Sequence, residues 1–254
     1  VQQRNPNNAQ GIDCSHFQGV IDWNQVKGAG KSFAILKASE GHTLVDSAVY
    51  DNYNGAKAAG LAVGLYHFLR ATNTDEAVKE AEFFCSIFDA CGGLLGQDIP
   101  PTLDVEEVLS KDSATMCAIA RAWLDTVEKK YGVRPMVYSY PNFIDFNLGD
   151  GLKDYPLWYA NYGDTLADDR GGWEAWKFLQ YTDSGKVPGI GGAVDLNEYA
   201  GEASELLYRM SQDDANKIIT FLAAAHGMAT TDQDKAEFHR LANELRKVSG
   251  QQMQ

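Results

Sequence analysis

Residues 33–68 run FAILKASEGHTLVDSAVYDNYNGAKAAGLAVGLYHF. The stretch Phe33–Ala38 is a short apolar run bounded by Gly30 and Gly41, which is the pattern of a buried strand. Residues 46–59 carry a helical pattern that stops at Gly60, a residue suited to the left-handed turn after a helix. Ala62–Phe68 is a second buried-strand pattern. Strand, helix and strand in succession predict a parallel βαβ unit. The same alternation extends both ways. Upstream lie a strand at Gly11–Cys14 and a short helix over Ile21–Lys27 with Asp22 as N-cap. Downstream lie a helix over Thr74–Ala90 capped by Thr74 or Asp75, a strand at Pro101–Glu106, a helix over Ser113–Tyr131 and a strand at Pro135–Tyr140. Leu157–Ala160, Trp176–Tyr181 and Ala193–Leu196 complete the strands, with few helices between them. The fold class is therefore α/β with a largely parallel sheet, and a closed, distorted (β/α) barrel suits it better than a doubly wound sheet. Neither GxGxxG nor GxxxxGK[ST] opens any helix, so nucleotide-binding variants lose support.

The chain has 254 residues, which suits one large domain with a small appendage. A net charge of −13 argues against a nucleic-acid partner. No apolar run approaches the roughly 20 residues of a membrane span. The start, VQQRNPNNAQ, is polar and does not read as a secretory signal. The four cysteines match no zinc spacing and predict buried free thiols, as in a reducing cytoplasm.

The pattern changes near the C-terminus. Residues 210–254 carry five basic and six acidic side chains, leaving −12 on the rest. Ser211 with the acids after it predicts a helix whose apolar face is Ile218, Ile219, Phe221, Leu222 and Ala225, ended by Gly227. Thr231 with Asp234 opens a second helix with Phe238, Leu241, Leu245 and Val248 on its face. The expected division is a body over 1–203 and a small helical module over 210–254. Such a module, near the lower size limit for a stable domain, packs on the body, pairs with a second copy, or adds a short helix from 201–209.

Four acids share one context, an apolar run followed by an acid and then a turn: Asp13, Asp104, Glu106 and Asp195. In a parallel barrel these are the C-terminal strand ends, where active sites lie. Asp104 and Glu106 are two apart, so on a strand both project to one face while Leu103 and Val105 face the other layer. Two carboxylates forced together raise one pKa, and a protonated acid beside an ionised one is what glycosidic cleavage requires. Tyr66, Tyr138, Tyr140, Trp158, Tyr162 and Tyr181 cluster at the same predicted ends and are candidate sugar-binding residues, since flat rings suit the apolar faces of sugars. His67 and Glu40 are further candidate substrate contacts. Lys37, in an apolar strand, is expected to pair with Glu40 or Asp104. Trp23, Trp123, Trp173 and Trp176 read as packing. No HExxH or GxSxG is present, and no metal or cofactor is expected.

Five blocks in order, GIDCSHFQGVIDWNQVK, FAILKASEG, AGLAVGLYHF, PTLDVEE and AVDLNEY, resemble glycoside hydrolase family 25, the Chalaropsis-type lysozymes or N-acetylmuramidases. The resemblance covers about residues 10–200. It implies cleavage of the β-1,4 bond between N-acetylmuramic acid and N-acetylglucosamine in peptidoglycan, with cell lysis. It implies Glu106 as general acid, Asp104 as the acid that orients or stabilises the reacting sugar, and Asp13 and Asp195 as the other acids of the cleft. Retention of configuration is implied as well, with the sugar's acetamido group or an enzyme aspartate as nucleophile. The sequence departs from the family at Cys14, where an aliphatic residue is usual, and at Phe17, where Trp is common. The helical tail is similar to short wall-binding tails of bacteriophage endolysins of Gram-positive hosts. This implies a secondary cell-wall polymer as a second partner, and a protein held in the host cytoplasm before it reaches the wall. The competing reading is a catalytically inactive glycan-binding protein on the same barrel.

Overall fold

A computed structural model describes residues 2–162, 170–206 and 212–248. The chain forms two compact units, residues 1–206 and 207–254.

The first unit opens with β1 (Gln10–Cys14), a 3-10 turn at His16–Gln18 and α1 (Trp23–Gly28). Asp22 caps α1 by accepting from the backbone N–H groups of Asn24 and Gln25. Next come β2 (Phe33–Glu40), its short hairpin partner β3 (Leu44–Val45), α2 (Val49–Ala58) and β4 (Ala62–Phe68). Then follow α3 (Thr74–Ala90), α4 (Gly93–Gly96), β5 (Thr102–Asp104), α5 (Ser113–Tyr131) and β6 (Met136–Ser139). A short α6 (Pro141–Phe143) runs into a π-helical turn at Ile144–Leu148, and β7 (Leu157–Ala160), β8 (Phe178–Gly185), β9 (Val194–Tyr199) and α7 (Ala203–Leu206) complete the unit. The cap of α3 is Asn73, whose side chain accepts from Glu76 N–H, rather than Thr74 or Asp75. The strand expected over Pro101–Glu106 is regular only from Thr102 to Asp104.

Eight strands close a barrel in the order β1-β9-β8-β7-β6-β5-β4-β2, with β2 returning to β1. All pairings from β1 through β2 and β4 to β8 are parallel, and only β9 runs antiparallel to both its neighbours. The reason lies in the connection. The segment between β8 and β9 is too short for a crossover, which needs a dozen or more residues, so the chain turns back as a hairpin. This is the distortion of the barrel.

Alternation along each strand separates two layers. Ile12, Cys14, Leu36, Leu65, Leu103, Val105 and Val137 belong to one buried cluster with Phe84, Phe88, Trp123 and Leu124 of the surrounding helices. Phe33, Ile35, Met136, Trp158 and Phe178 are buried but outside that cluster, in the barrel interior. Phe33 packs edge-on against Phe178 across that interior. Gly11 leaves room for it, since a Cβ there would lie 2.4 Å from the Phe33 ring. Trp23, Trp123, Trp173 and Trp176 are all buried, as packing residues should be. The four cysteines are buried free thiols.

The second unit comprises α8 (Gln212–Met228) and α9 (Asp232–Val248). Thr231 accepts from Asp234 N–H while the Asp234 carboxylate accepts from the Thr231 hydroxyl, so the two residues cap α9 reciprocally. Gly227 does not end α8, which continues to Met228. Ser211, the expected cap, lies outside the described residues. Of the helix expected within 201–209, the described residues hold a helical turn at Ala203–Leu206, in the first unit, and 207–209 lie outside the described residues. Among the described residues, no helix is long and apolar enough to cross a membrane.

Candidate active site

The acids gather at one mouth of the barrel because of strand direction. Asp13 is the penultimate residue of β1, and Cys14 beside it turns outward into the helix-facing layer. Asp104 is the last residue of β5. Beyond it Val105 N–H still donates to Tyr138 O on β6, so the chain stays extended. Leu103 and Val105 are buried in the outer layer, and Glu106 lies close enough to Asp104 for their charges to interact. Asp195 sits near the start of β9, and β9 is antiparallel, so its beginning lies at the same rim. There Asp195 pairs in register with Asp13.

Asp13 is buried and anchored by two amides. Gln180 Nε2 and Asn197 Nδ2 both donate to its Oδ2, at 2.8 and 2.7 Å. The far ends of these amides are also fixed. Trp158 Nε1 donates to Asn197 Oδ1 at 2.8 Å, and the hydroxyls of Tyr138 and Tyr162 donate to Gln180 Oε1. Every amide orientation in this network is therefore determined. Burial and the facing Asp195 push the Asp13 carboxyl well above the ordinary range, against the two amide donors.

Burial and then the charge of Glu106 push Asp104 well above the usual range, while Lys37 opposes them. Asp104 Oδ1 is buried with no hydrogen-bond partner. Burial also raises Glu106, with Asp195 adding to the effect and Lys37 and Arg70 opposing it. Burial raises Asp195, and its hydrogen bond with Asp13 works the other way. Four carboxyl groups thus share one partly desolvated mouth, and burial favours the neutral form of each.

The sequence model of glycosyl hydrolases family 25 matches residues 12–190. The chain belongs to this family. The autolytic lysozyme of Clostridium acetobutylicum is 39% identical over 191 residues, covering 75% of this chain and 56% of that protein. The chain thus spans little more than half of that relative. The crystal structure of a Streptomyces coelicolor lysozyme superposes with a TM-score of 0.70 at 28% identity, over 80% of this chain and 96% of that one. The CTP1L endolysin superposes with a TM-score of 0.66 at 27% identity, over 85% of this chain and 80% of that one.

In this family 25 barrel the aromatic candidates divide. Tyr66 and Tyr138 meet Trp158 edge-on, with ring centroids 5.9 and 4.6 Å away, and together they floor the mouth. Trp158 is only 2% exposed, so it holds Asn197 and offers no open face to a sugar. Tyr162 is half exposed above Gln180 and is the aromatic best placed to meet a ligand there. Tyr140 packs on Phe143 at the start of α6 and remains partly accessible.

Two expected contacts do not belong to the mouth. His67 is fully buried on the helix side of β4, where it meets Ser39 Oγ through Nδ1 and Glu80 through Nε2 and stacks on Trp123. Burial holds its imidazole below the ordinary range, against Glu80. Strand alternation is the cause, because Tyr66 takes the interior position and its neighbour must face out. Tyr181 is excluded by the same rule. Gln180 points inward to Asp13, while the Tyr181 hydroxyl donates to Gln10 Oε1 and its ring lies under the Arg4 guanidinium.

Glu40 stands at the rim as part of a charged chain. Lys37 Nζ donates to it at 2.7 Å, and Arg70 links it to Glu107. Burial disfavours the Glu40 carboxylate, but Lys37 and Arg70 outweigh burial and hold it below the ordinary range. Of the two acids expected to pair with Lys37, Glu40 is the direct partner, and Asp104 feels the ammonium charge only through space.

Gln180 and Asn197, which hold Asp13, are absent from the sequence-based site. A signal for them exists: Gln180 lies two residues after the interior Phe178, and Asn197 two after Asp195. This is the spacing that linked Asp104 to Glu106. Among the described residues, no group of three or more His, Cys, Asp or Glu side chains could hold a metal ion.

Proposed function

We propose that the chain is a lysozyme of the N-acetylmuramidase type, cleaving the β-1,4 bond from N-acetylmuramic acid to N-acetylglucosamine in peptidoglycan with retention of configuration. The observation that carries this reading is the Asp104–Glu106 pair, two desolvated carboxyls beside one ammonium group, with a buried Asp104 oxygen that has no donor. A sugar acetamido N–H is a donor of the required kind. Its arrival at Asp104 Oδ1 favours the ionised form of Asp104 and leaves the shared proton on Glu106. Glu106 then protonates the leaving glycosidic oxygen. The oriented acetamido oxygen attacks the anomeric carbon from the opposite face, and Glu106 afterwards takes a proton from the incoming water. Asp13 is buried, and its ionised form is disfavoured. That suits it to shaping the site with Asp195 rather than attacking the sugar.

The helical unit fits a role in retention on the wall through a secondary polymer. An acidic barrel is repelled by anionic wall polymers, whereas residues 210–254 are nearly neutral. Similarity to an endolysin and four reduced, buried thiols fit a protein made in a host cytoplasm and released to the wall.

The test is digestion of purified Gram-positive wall followed by borohydride reduction of the products. Muramitol is the expected terminal sugar. Glucosaminitol would make the protein a glucosaminidase. Wall binding with no new reducing ends would favour the inactive glycan-binding protein.

A further inference from the structure

The described residues of the second unit include few that are fully buried, while Ile219, Leu222, Phe238, Leu241 and Leu245 are half-buried. Among its described residues only Ala215 and Ala242 are buried, and neither is large. Phe221 is 76% exposed, Met228 82% and Ile218 39%. The two helices are 17 residues each, and most of the stability of such helices comes from a packed apolar face. A unit spanning residues 207–254 has a small core, and oligomerisation is one of the ways such units gain stability.

The exposed face of α8 has a particular pattern. From Ile218 to Met228 there is no Asp, Glu, Lys or Arg. Ile218, Phe221, Ala225 and Met228 follow the helical repeat and form one stripe. The stripe is symmetric about residue 223, with 218 and 228 five positions either side and 221 and 225 two. In an antiparallel two-fold pairing, the Phe221 ring of one copy therefore falls on the small Ala225 of the other, and Ile218 falls on Met228. Large meets small at the centre, as interdigitated helix packing requires, and no charge is buried. Two of the unit's cations are paired along their own helices, Lys217 on Asp214 and Arg240 on Glu237.

We propose that this stripe is a homodimer surface, through which α8 packs antiparallel on α8 of a second copy to give a four-helix bundle. The dimer carries two barrels on one particle. On a polymeric wall the second barrel is held near its substrate by the first, which raises retention without any new contact to the glycan.

The test is the mass of the full chain by light scattering and sedimentation, from low micromolar to near-millimolar concentration. A concentration-dependent dimer is expected. Phe221→Glu and Ala225→Arg each place a charge at the centre of the stripe on an exposed or half-exposed position. Both are expected to leave helical content unchanged by circular dichroism, to give a monomer, to keep the rate on short soluble glycans and to lower lysis of intact walls. A wild-type chain that stays monomeric throughout overturns the proposal, and so does a dimer that survives both substitutions. If the wild type is monomeric and Phe221→Glu loses wall retention, the stripe contacts the wall polymer instead.

Discussion

Asp13 and Asp195 face each other in the antiparallel pairing of β1 with β9, the only strand of the barrel that runs backwards. A parallel final strand would have placed the residue corresponding to Asp195 at the opposite mouth. The reversal therefore completes the acidic site, and it follows from a connection too short for a helix. Below this pair Gln180 and Asn197 fix Asp13, and above it stand Asp104, Glu106 and Lys37.

Glu106→Gln removes the proton donor and little else, since Glu106 is only partly buried at the mouth. Reducing-end release from peptidoglycan is expected to fall by a factor of about 10² to 10⁴, with the fold retained and, because burial also raises the Glu106 carboxyl, a melting temperature at neutral pH no lower than that of the wild type. Activity near that of the wild type would remove Glu106 from the mechanism.

Asp104→Asn separates catalysis from stability. Turnover is expected to fall by about 10² or more as the charge facing the reacting sugar is lost. Stability should move the other way. The folded-state pKa of Asp104 is raised, so the native state binds more protons than the unfolded chain from the ordinary aspartate pKa, about 3.9, upward through the raised value. Wild-type stability therefore falls with rising pH across that window, and the asparagine variant escapes this loss. Its melting temperature should exceed that of the wild type at neutral pH, and the two should converge in acid below the ordinary value. A variant less stable at neutral pH would show that the carboxylate has a partner after all.

Asn197→Leu keeps the branched outline of the side chain, with bulkier methyl groups, and removes both hydrogen bonds. Trp158 Nε1 and Asp13 each lose a buried partner. The expected cost is about 2–4 kcal/mol in denaturant unfolding, together with a change in tryptophan fluorescence. A near-neutral result would mean that water enters and satisfies the two groups.

Lys37→Met removes the ammonium that favours ionisation of Asp104 and Glu106. Both carboxyls should rise further. Because Glu106 acts in its protonated form, the alkaline limb of the kcat/KM profile should shift to higher pH, and the acid limb, governed by Asp104, should follow. A profile that keeps its position while only its height changes would limit Lys37 to holding Glu40.

Much of the barrel was legible along the chain. The helices Thr74–Ala90 and Ser113–Tyr131 end where their apolar periodicity ends, because each is held by local caps and one continuous buried face. Asp104 and Glu106 were legible as a pair because two-residue spacing on an extended chain is a local property. The reversal of β9, the amide supports of Asp13 and the true cap of α3 were not singled out.

The sequence by itself determined which residues alternate with which. Asp13 opposes Cys14 in direction, Tyr66 opposes His67, and Gln180 opposes Tyr181, whatever the fold. Only the tertiary structure decided which member of each pair enters the barrel. Closure of β2 onto β1 sets the absolute sense of every strand at once, and that sense depends on register between residues far apart in the chain. His67 and Tyr181 therefore leave the site and Gln180 enters it for one reason. A period of two is local, but the choice of inside and outside belongs to the closed sheet.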